Sequence, residues 1–215
     1  MGYNLIMNIW NLFGVLMWAF AILVSYFLIH GMRMRRLRLE IISQEKGIKQ
    51  FTIIRDIIDI FILFVMLGSL ILFTFFTSPD LSDQENIDTK YSFDTLILQP
   101  GEPSYYVKAR LSTGKKPIQY FTYWTAGAKQ ETNSWHASIS DGKDPVDIAG
   151  KQYKWPHKEI VKYEKNSEKA FVATMMARYK NTFWNGLKLK AGRVADEFHL
   201  IRVPGSSFVK ITHSK

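Results

Sequence analysis

The feature that most constrains this chain is a long uncharged stretch at its N-terminal end. No Asp, Glu, Lys or Arg occurs from Met1 to Met32, and the uncharged run Leu5–Ile29 is 25 residues long. A helix of that length extends about 37 Å, more than the roughly 30 Å of a bilayer's hydrocarbon core. The sequence therefore predicts a membrane-spanning helix over residues 5–29 and excludes a simple soluble globule.

A second uncharged run, Ile60–Phe76, predicts another span over about residues 57–76. Asp59 lies at its start, four residues after Arg55. We expect these two side chains to pair on one helix face at the membrane interface, with an ion or proton site at Asp59 as the alternative. Together the spans predict a transmembrane helical hairpin over residues 1–77.

The segment predicted to connect the spans, residues 32–55, is a strongly basic loop. From Arg33 to Arg55 it contains seven Lys and Arg residues and two Glu residues. The positive-inside rule places this loop in the cytoplasm, and the N-terminus and residues 78–215 outside the cell. We interpret its arginines as topology signals that contact anionic lipids, with recruitment of a cytoplasmic partner as the alternative. These arginines are Arg33, Arg35, Arg36 and Arg38.

The rest of the chain predicts a small extracytoplasmic α+β domain, mostly β, over residues 91–215, after a polar linker over residues 78–90. Residues 156–165 have helical spacing after Pro156. Residues 170–180 alternate as a strand does but contain Ala and Met, which favour a helix, and we favour the strand. The other predicted strands are residues 91–98, 104–112, 118–125, 133–140, 198–203 and 207–212, with a short edge piece at 145–148.

The sequence contains no specific catalytic or metal-binding motif. The absence of cysteine excludes disulfides, thiolate metal sites and cysteine nucleophiles. No zinc-protease, serine-hydrolase, phosphate-loop or dinucleotide-binding signature is present. We therefore expect a non-catalytic protein without a cofactor or metal, and the extracytoplasmic location argues against nucleic acid as a partner.

Aromatic residues are the most informative feature of the predicted outer domain. On a strand over residues 118–125, Tyr120 and Trp124 face one side while Phe121 and Tyr123 face the other. Aromatic side chains on a second face would bind sugar rings, a partner or the bilayer interface, unless the sheet is covered on both sides. The candidate contact residues are Tyr120, Tyr123, Trp124, Trp135 and Trp155.

Several segments resemble a known family. They are Tyr120–Lys129 (YFTYWTAGAK), Phe171–Lys180 (FVATMMARYK), Asn185-Gly186, His199–Pro204 (HLIRVP) and the opening of the first span, Asn11–Trp18 (NLFGVLMW). With these segments the chain resembles a family of small two-span membrane proteins of lactic acid bacteria, a family with no assigned activity. The resemblance implies a Gram-positive envelope protein and transfers no functional residues.

These observations predict a membrane-anchored, extracytoplasmic binding protein of the cell envelope. From Ser78 onward the chain has 21 Lys and Arg residues against 15 Asp and Glu. A basic domain at a Gram-positive surface would be attracted to anionic wall polymers as well as to membrane lipids. Its expected partners are therefore lipids and either an anionic wall polymer or another membrane protein. Two alternatives remain open: an envelope hydrolase or transferase acting on wall or lipid-linked substrates, and a signalling or immunity-type protein acting through its spans.

Overall fold

The structure is a computed structural model that describes residues 8–41, 46–101, 104–112, 118–141, 148–166 and 169–213. Internal contacts divide the chain into two compact units. We call Met1–Asp88 with Tyr179–Arg193 the helical unit, and Thr89–Arg178 with Val194–Lys215 the sheet unit. The first boundary falls within the predicted linker, but residues 179–193 belong with the helices although they interrupt the sheet unit along the chain.

Two long apolar helices form most of the helical unit. Helix α1 covers Asn11–Ile41 and helix α2 covers Lys46–Phe75. Their segments Asn11–Arg38 and Gln50–Phe75 are long and apolar enough to cross a membrane, with mean hydropathies of 2.4 and 2.6. Much of the stretch predicted as a loop, residues 32–55, is therefore helical. Arg, Leu, Met and Glu are good helix formers and no Gly or Pro occurs from 32 to 41, so α1 continues beyond its apolar run.

Charged side chains join α1 to α2. Arg35 Nη2 lies 2.9 Å from Asp56 Oδ1, and Arg36 Nε lies 3.3 Å from Asp56 Oδ2. Arg35 also pairs with Asp59. Asp59 therefore pairs with Arg35 of the neighbouring helix, not with Arg55 as the sequence predicted, because the hairpin brings the two helices side by side at this level.

Within the described residues the sheet has eight strands, in the order β5-β7-β6-β1-β3-β2-β8 with β4 paired to β3. The β2–β8 and β5–β7 pairs are parallel, whereas β3 pairs antiparallel with β1, β2 and β4. The strands are β1 Ile87–Ile97, β2 Val107–Leu111, β3 Gln119–Thr125, β4 Ala128–Asn133, β5 Ala137–Ser140, β6 Phe171–Tyr179, β7 Val194–Arg202 and β8 Val209–His213. The short helices are α3 Ile148–Lys151, α4 His157–Asn166 and α5 Phe183–Leu187, with a 3-10 turn at Ser206–Phe208.

Several sequence predictions can be compared with these elements. Strand β6 confirms the strand favoured for residues 170–180, and α4 confirms the helix after Pro156. The strand predicted over residues 133–140 is wrong in extent: β4 ends at 133, and a turn separates it from β5. Strands β3 and β4 form a hairpin around Ala126 and Gly127, whose φ angles of 42° and 81° are typical of a two-residue hairpin turn. The predicted edge piece at 145–148 lies mostly outside the described residues.

Apolar side chains cover both faces of part of the sheet. The main core joins the strands on either side of β1 and includes Leu96, Val107, Phe121 and Ile201. On the other face of β6 and β7, a second cluster packs beneath α4, where Ile160 is fully buried. The aromatic members of this second cluster are Tyr153, Trp155, Tyr163, Phe171 and Phe198.

Candidate functional site

Strand β3 divides its side chains between the two faces of the sheet. Phe121 and Tyr123 are buried, whereas Tyr120 is exposed and Trp124 is half-buried on the opposite face. This confirms the predicted alternation, since successive side chains of a strand point to opposite faces. Burial is the main reason why the pKa of Tyr123 is raised to about 12, so its hydroxyl stays neutral.

Neighbouring strands add basic side chains to the face that carries Tyr120. Arg110 of β2 lies opposite Tyr120 in the sheet register, and Lys108 lies two residues before it. On the other side of β3, Lys129 of β4 lies opposite Trp124. We call this surface the open face, and its members are Lys108, Arg110, Tyr120, Thr122, Trp124, Lys129, Glu131 and Lys210.

Part of the open face is a groove of about 310 Å³ across β2, β3 and β4. The side-chain nitrogen of Gln99 donates hydrogen bonds of 3.0 Å to the carbonyl oxygens of Tyr106 and Thr122. These bonds tie Gln99, which follows β1 and lines the groove, to the backbone of β3 and of the residue before β2. The groove is lined by Gln99, Lys108, Arg110, Tyr120, Phe121, Thr122, Lys129 and Glu131.

Positive charge dominates the open face. Lys108 lies beside Lys210 of the parallel strand β8, and two like charges on neighbouring strands repel each other. The guanidinium carbon of Arg110 lies 5.6 Å from the centre of the Tyr120 ring, within the range of a cation–π contact. The single carboxylate of the set, Glu131, lies 2.5 Å from Lys129 Nζ. Lys108 and Arg110 have no ion-pair partner among the described residues, so the groove offers two cations and a ring to an anionic ligand.

Two predicted contact residues lie in the core. Tyr123 is 3% exposed and Trp155 is 6% exposed. Trp155 donates its indole N–H to the carbonyl oxygen of Gly150 at 3.0 Å and packs against Phe198. Both side chains therefore pack within the core of the sheet unit.

The other predicted tryptophan outside β3, Trp135, is exposed but does not line the groove. It lies in the turn between β4 and β5 and is 61% exposed. Its backbone N–H donates to the side-chain oxygen of Asn133 at 2.9 Å. Of the five predicted residues, the structure thus brings Tyr120 and Trp124 together on the open face.

The four predicted arginines have two kinds of environment. Arg35 and Arg36 bind Asp56, as described above, and so contribute to contact between the helices. Arg33 and Arg38 are exposed on α1.

A half-buried histidine lies elsewhere in the sheet unit. His199 Nδ1 is 2.9 Å from Thr174 Oγ1, and Nε2 is 3.6 Å from Glu197 Oε1. Burial lowers the pKa of His199, although the charge of Glu197 acts in the opposite direction. Since both ring nitrogens have partners, the arrangement is that of a histidine that stabilises the β6–β7 pair. Across the described ranges, no group of three or more His, Asp or Glu side chains is placed to hold a metal ion.

Sequence reasoning missed the basic members of the open face. The pattern Lys108-x-Arg110 within a predicted strand already places both cations on one face. The sequence did not show that β3 places Tyr120 opposite Arg110 and Thr122 opposite Lys108. Lys129 and Glu131 were missed because β4 itself was not predicted.

Comparison with known proteins identifies a family. A family model named after a locus of a lactic acid bacterium matches residues 9–210 of the chain. This family has no assigned activity. No curated protein and no solved structure matches the chain. The matched range covers nearly all of both units, including every member of the open face. The chain therefore belongs to this uncharacterised family.

Proposed function

We propose that this chain is a membrane-anchored protein of the cell envelope whose sheet unit binds an anionic envelope polymer through the open face. The observation that carries the proposal is the presence of Lys108, Arg110 and Lys129 beside the Tyr120 ring in one groove. Binding, and not bond cleavage, is the function that such a set of cations and aromatic side chains supports.

The exposed apolar surface of α1 and α2 supports the membrane anchor. Only 11% of the residues in the apolar window of each helix are buried against protein. A core helix of a soluble protein would be mostly buried, and exposed apolar surface on this scale marks contact with a membrane or partner. In this proposal a lipid bilayer covers the apolar parts of both helices, and their charged ends lie at the membrane surface.

The arginines at the end of α1 support the orientation. Arg33 and Arg38 are exposed there, and further Lys and Arg residues follow before Asp56. Basic residues beside a span are retained in the cytoplasm, so the opposite ends of both helices face outward. The sheet unit follows the outward end of α2 and is therefore displayed outside the cell.

The chemistry of the open face favours a phosphate-containing polymer over a neutral glycan. A guanidinium binds phosphate oxygens with paired N–H donors, and an ammonium binds them as a point charge. The Tyr120 ring provides an apolar platform for the C–H faces of glycerol or sugar units. Since adjacent strands lie about 4.8 Å apart, cations on β2, β4 and β8 can meet successive phosphates of one extended chain.

The test measures binding of fluorescent poly(glycerol phosphate) to the full-length protein in nanodiscs of zwitterionic lipid. Reversing two charges in Lys108→Glu/Arg110→Glu should weaken binding at least about tenfold, equivalent to about 1.4 kcal/mol. The matched control, Lys158→Glu/Lys162→Glu, makes the same charge change on the exposed side of α4, outside the groove, and should weaken binding less than about twofold.

Each result bears on the proposal. Loss of polymer binding in the groove variant alone supports the proposal, provided that circular dichroism shows this variant to be folded. Equal loss in both variants would mean general attraction to a basic protein, and failure of the wild type to bind would remove the polymer from the proposal. Neutral dextran serves as the control ligand.

A further inference from the structure

Residues 179–193, which we call the docking segment, connect two strands of the sheet unit but pack within the helical unit. The segment contains the short helix α5, Phe183–Leu187, whose first turn is capped by the hydroxyl of Thr182. It contacts the end of the helical pair where α1 begins and α2 ends.

Two glycines allow the docking segment to approach α1 at backbone distance. A Cβ atom on Gly186 would lie 2.1 Å from the carbonyl oxygen of Trp10. A Cβ atom on Gly14 would lie 2.6 Å from the carbonyl oxygen of Gly186 and 2.6 Å from Leu189 Cδ2. A side chain at either position would push the two backbones apart. The close contact between the docking segment and α1 therefore depends on glycine at both positions.

Polar contacts hold the docking segment to both helices. The Asn11 side chain donates to the carbonyl oxygen of Ala191 and accepts from its N–H, each at 3.1 Å. Lys190 Nζ donates to the carbonyl oxygen and hydroxyl of Thr77 at 2.5 and 3.1 Å, just after the end of α2. Burial lowers the pKa of Lys190, as expected for an ammonium enclosed by this contact.

The docking segment also presents aromatic side chains on its exposed side. Trp184 is 59% exposed, and the neighbouring Phe183 is exposed as well. The Phe183 ring contacts Phe13 of α1 edge-on, with 5.3 Å between ring centres. Phe13 is itself exposed within the apolar segment of α1, so the aromatic surface of α5 is continuous with the surface that faces lipid in the proposed anchor.

A cation lies one helical turn after Trp184 in the same segment. Lys188 Nζ lies 5.3 Å from the centre of the Phe73 ring of α2. Trp beside Lys at the end of a span is the combination found at membrane interfaces, where the ring lies among head groups and the ammonium meets phosphate.

We infer that α5 is a membrane-interface anchor: Phe183 and Trp184 insert among the lipid head groups of the outer leaflet, beside the outward ends of α1 and α2. The inference rests on the proposed membrane anchoring of the helices. It adds a third membrane contact, supplied by a segment that interrupts the sheet unit, and its occupant is the phospholipid surface.

The chain has no cysteine, so single cysteines can report on membrane depth without background labelling. The experiment uses the full-length protein in nanodiscs with an environment-sensitive nitrobenzoxadiazole label at one position in each variant. Trp184→Cys reports on α5. Trp135→Cys is the matched control, because the two tryptophans are 59% and 61% exposed in the structure. Phe64→Cys, on the exposed surface of α2, reports on the proposed span.

We expect the Phe64 label to be shielded from an aqueous quencher, the Trp184 label to have a blue-shifted emission and partial shielding, and the Trp135 label to behave as in water. A shielded Phe64 label with a Trp184 label that matches Trp135 would overturn the interface anchor and leave the spans intact. A water-exposed Phe64 label would instead overturn the membrane anchor and with it this inference. If the Trp135 label were as shielded as the Trp184 label, the contact would not be specific to α5 and the inference would also fail. Phe183→Cys repeats the measurement if Trp184→Cys does not fold.

Discussion

The two units place their large apolar side chains in opposite environments. In the sheet unit, Phe121, Phe171 and Phe198 have almost no exposed surface. In the helical unit, Phe61 and Phe64 are mostly exposed along α2. Protein therefore removes phenylalanine side chains from water in the sheet unit. In the helical unit something other than the protein must do so. In the proposed anchor a bilayer provides this shielding, since lipid tails are about as apolar as the side chains themselves.

The largest expected effect tests this contrast by truncating one phenylalanine in each unit. Phe198→Ala should lower the free energy of unfolding of the sheet unit by about 3–5 kcal/mol, because it removes buried surface and leaves a cavity. Phe64→Ala in nanodiscs should cost less than about 1 kcal/mol, because lipid occupies the vacated space. Urea unfolding of the full-length protein, followed by tryptophan fluorescence, measures both. Equal losses would show that Phe64 is packed against protein and would break the comparison.

A smaller effect is expected where the docking segment meets α1. Gly186→Ala places a methyl group against the Trp10 backbone and should destabilise this contact by about 1–3 kcal/mol. Hydrogen exchange reports it, because the N–H of Ala191 donates both to Asn11 and to the carbonyl oxygen of Asn185 and should lose part of its protection. Gly68→Ala is the control, since a Cβ there meets nothing within 4 Å. Unchanged protection in Gly186→Ala would mean that the docking segment does not depend on the close approach.

The smallest effect is a pH dependence confined to the sheet unit. Burial holds the pKa of His199 below its ordinary value of 6.5 in the folded state. Below that pH the unfolded chain takes up a proton more readily than the folded protein, so stability is lost as the pH falls through this window. Melting of the full-length protein, followed by near-UV circular dichroism at about pH 7.5 and about pH 5, should show a smaller acid shift in His199→Gln than in the wild type. His157→Gln, on the exposed start of α4, controls for loss of an imidazole, and an undiminished shift in His199→Gln would contradict this account.

Elements with a strong local pattern could be predicted from the sequence. The two helices follow from uncharged runs, and β3 and β6 follow from alternation of apolar residues. Strand β4, Ala128–Asn133, was missed because it is an exposed strand with no apolar side to alternate. Helix α5 has five residues, too few to show a helical period.

The contacts that define the candidate sites are mostly non-local. Asp56 and Asp59 are 21 and 24 residues from Arg35, whereas the sequence suggested the nearer Arg55. Asn11 binds Ala191 across 180 residues of sequence. Alternation could show that Tyr123 and Tyr120 lie on opposite faces of β3, but not which face the core would cover. Which face of β3 is buried depends on where β6 and β7 pack. Their packing buries Tyr123 and leaves Tyr120 on the open face.

The central claim is that a membrane hairpin displays the sheet unit outside the cell. The most direct measurement is labelling of Trp135→Cys, in the cysteine-free full-length protein, by a membrane-impermeant maleimide on intact cells of a Gram-positive host. Ser43→Cys, between the two helices along the chain, provides the opposite-side control. The account predicts that position 135 is labelled in intact cells and position 43 only after lysis. Labelling of position 43 alone in intact cells, or of both positions only after lysis, would contradict it.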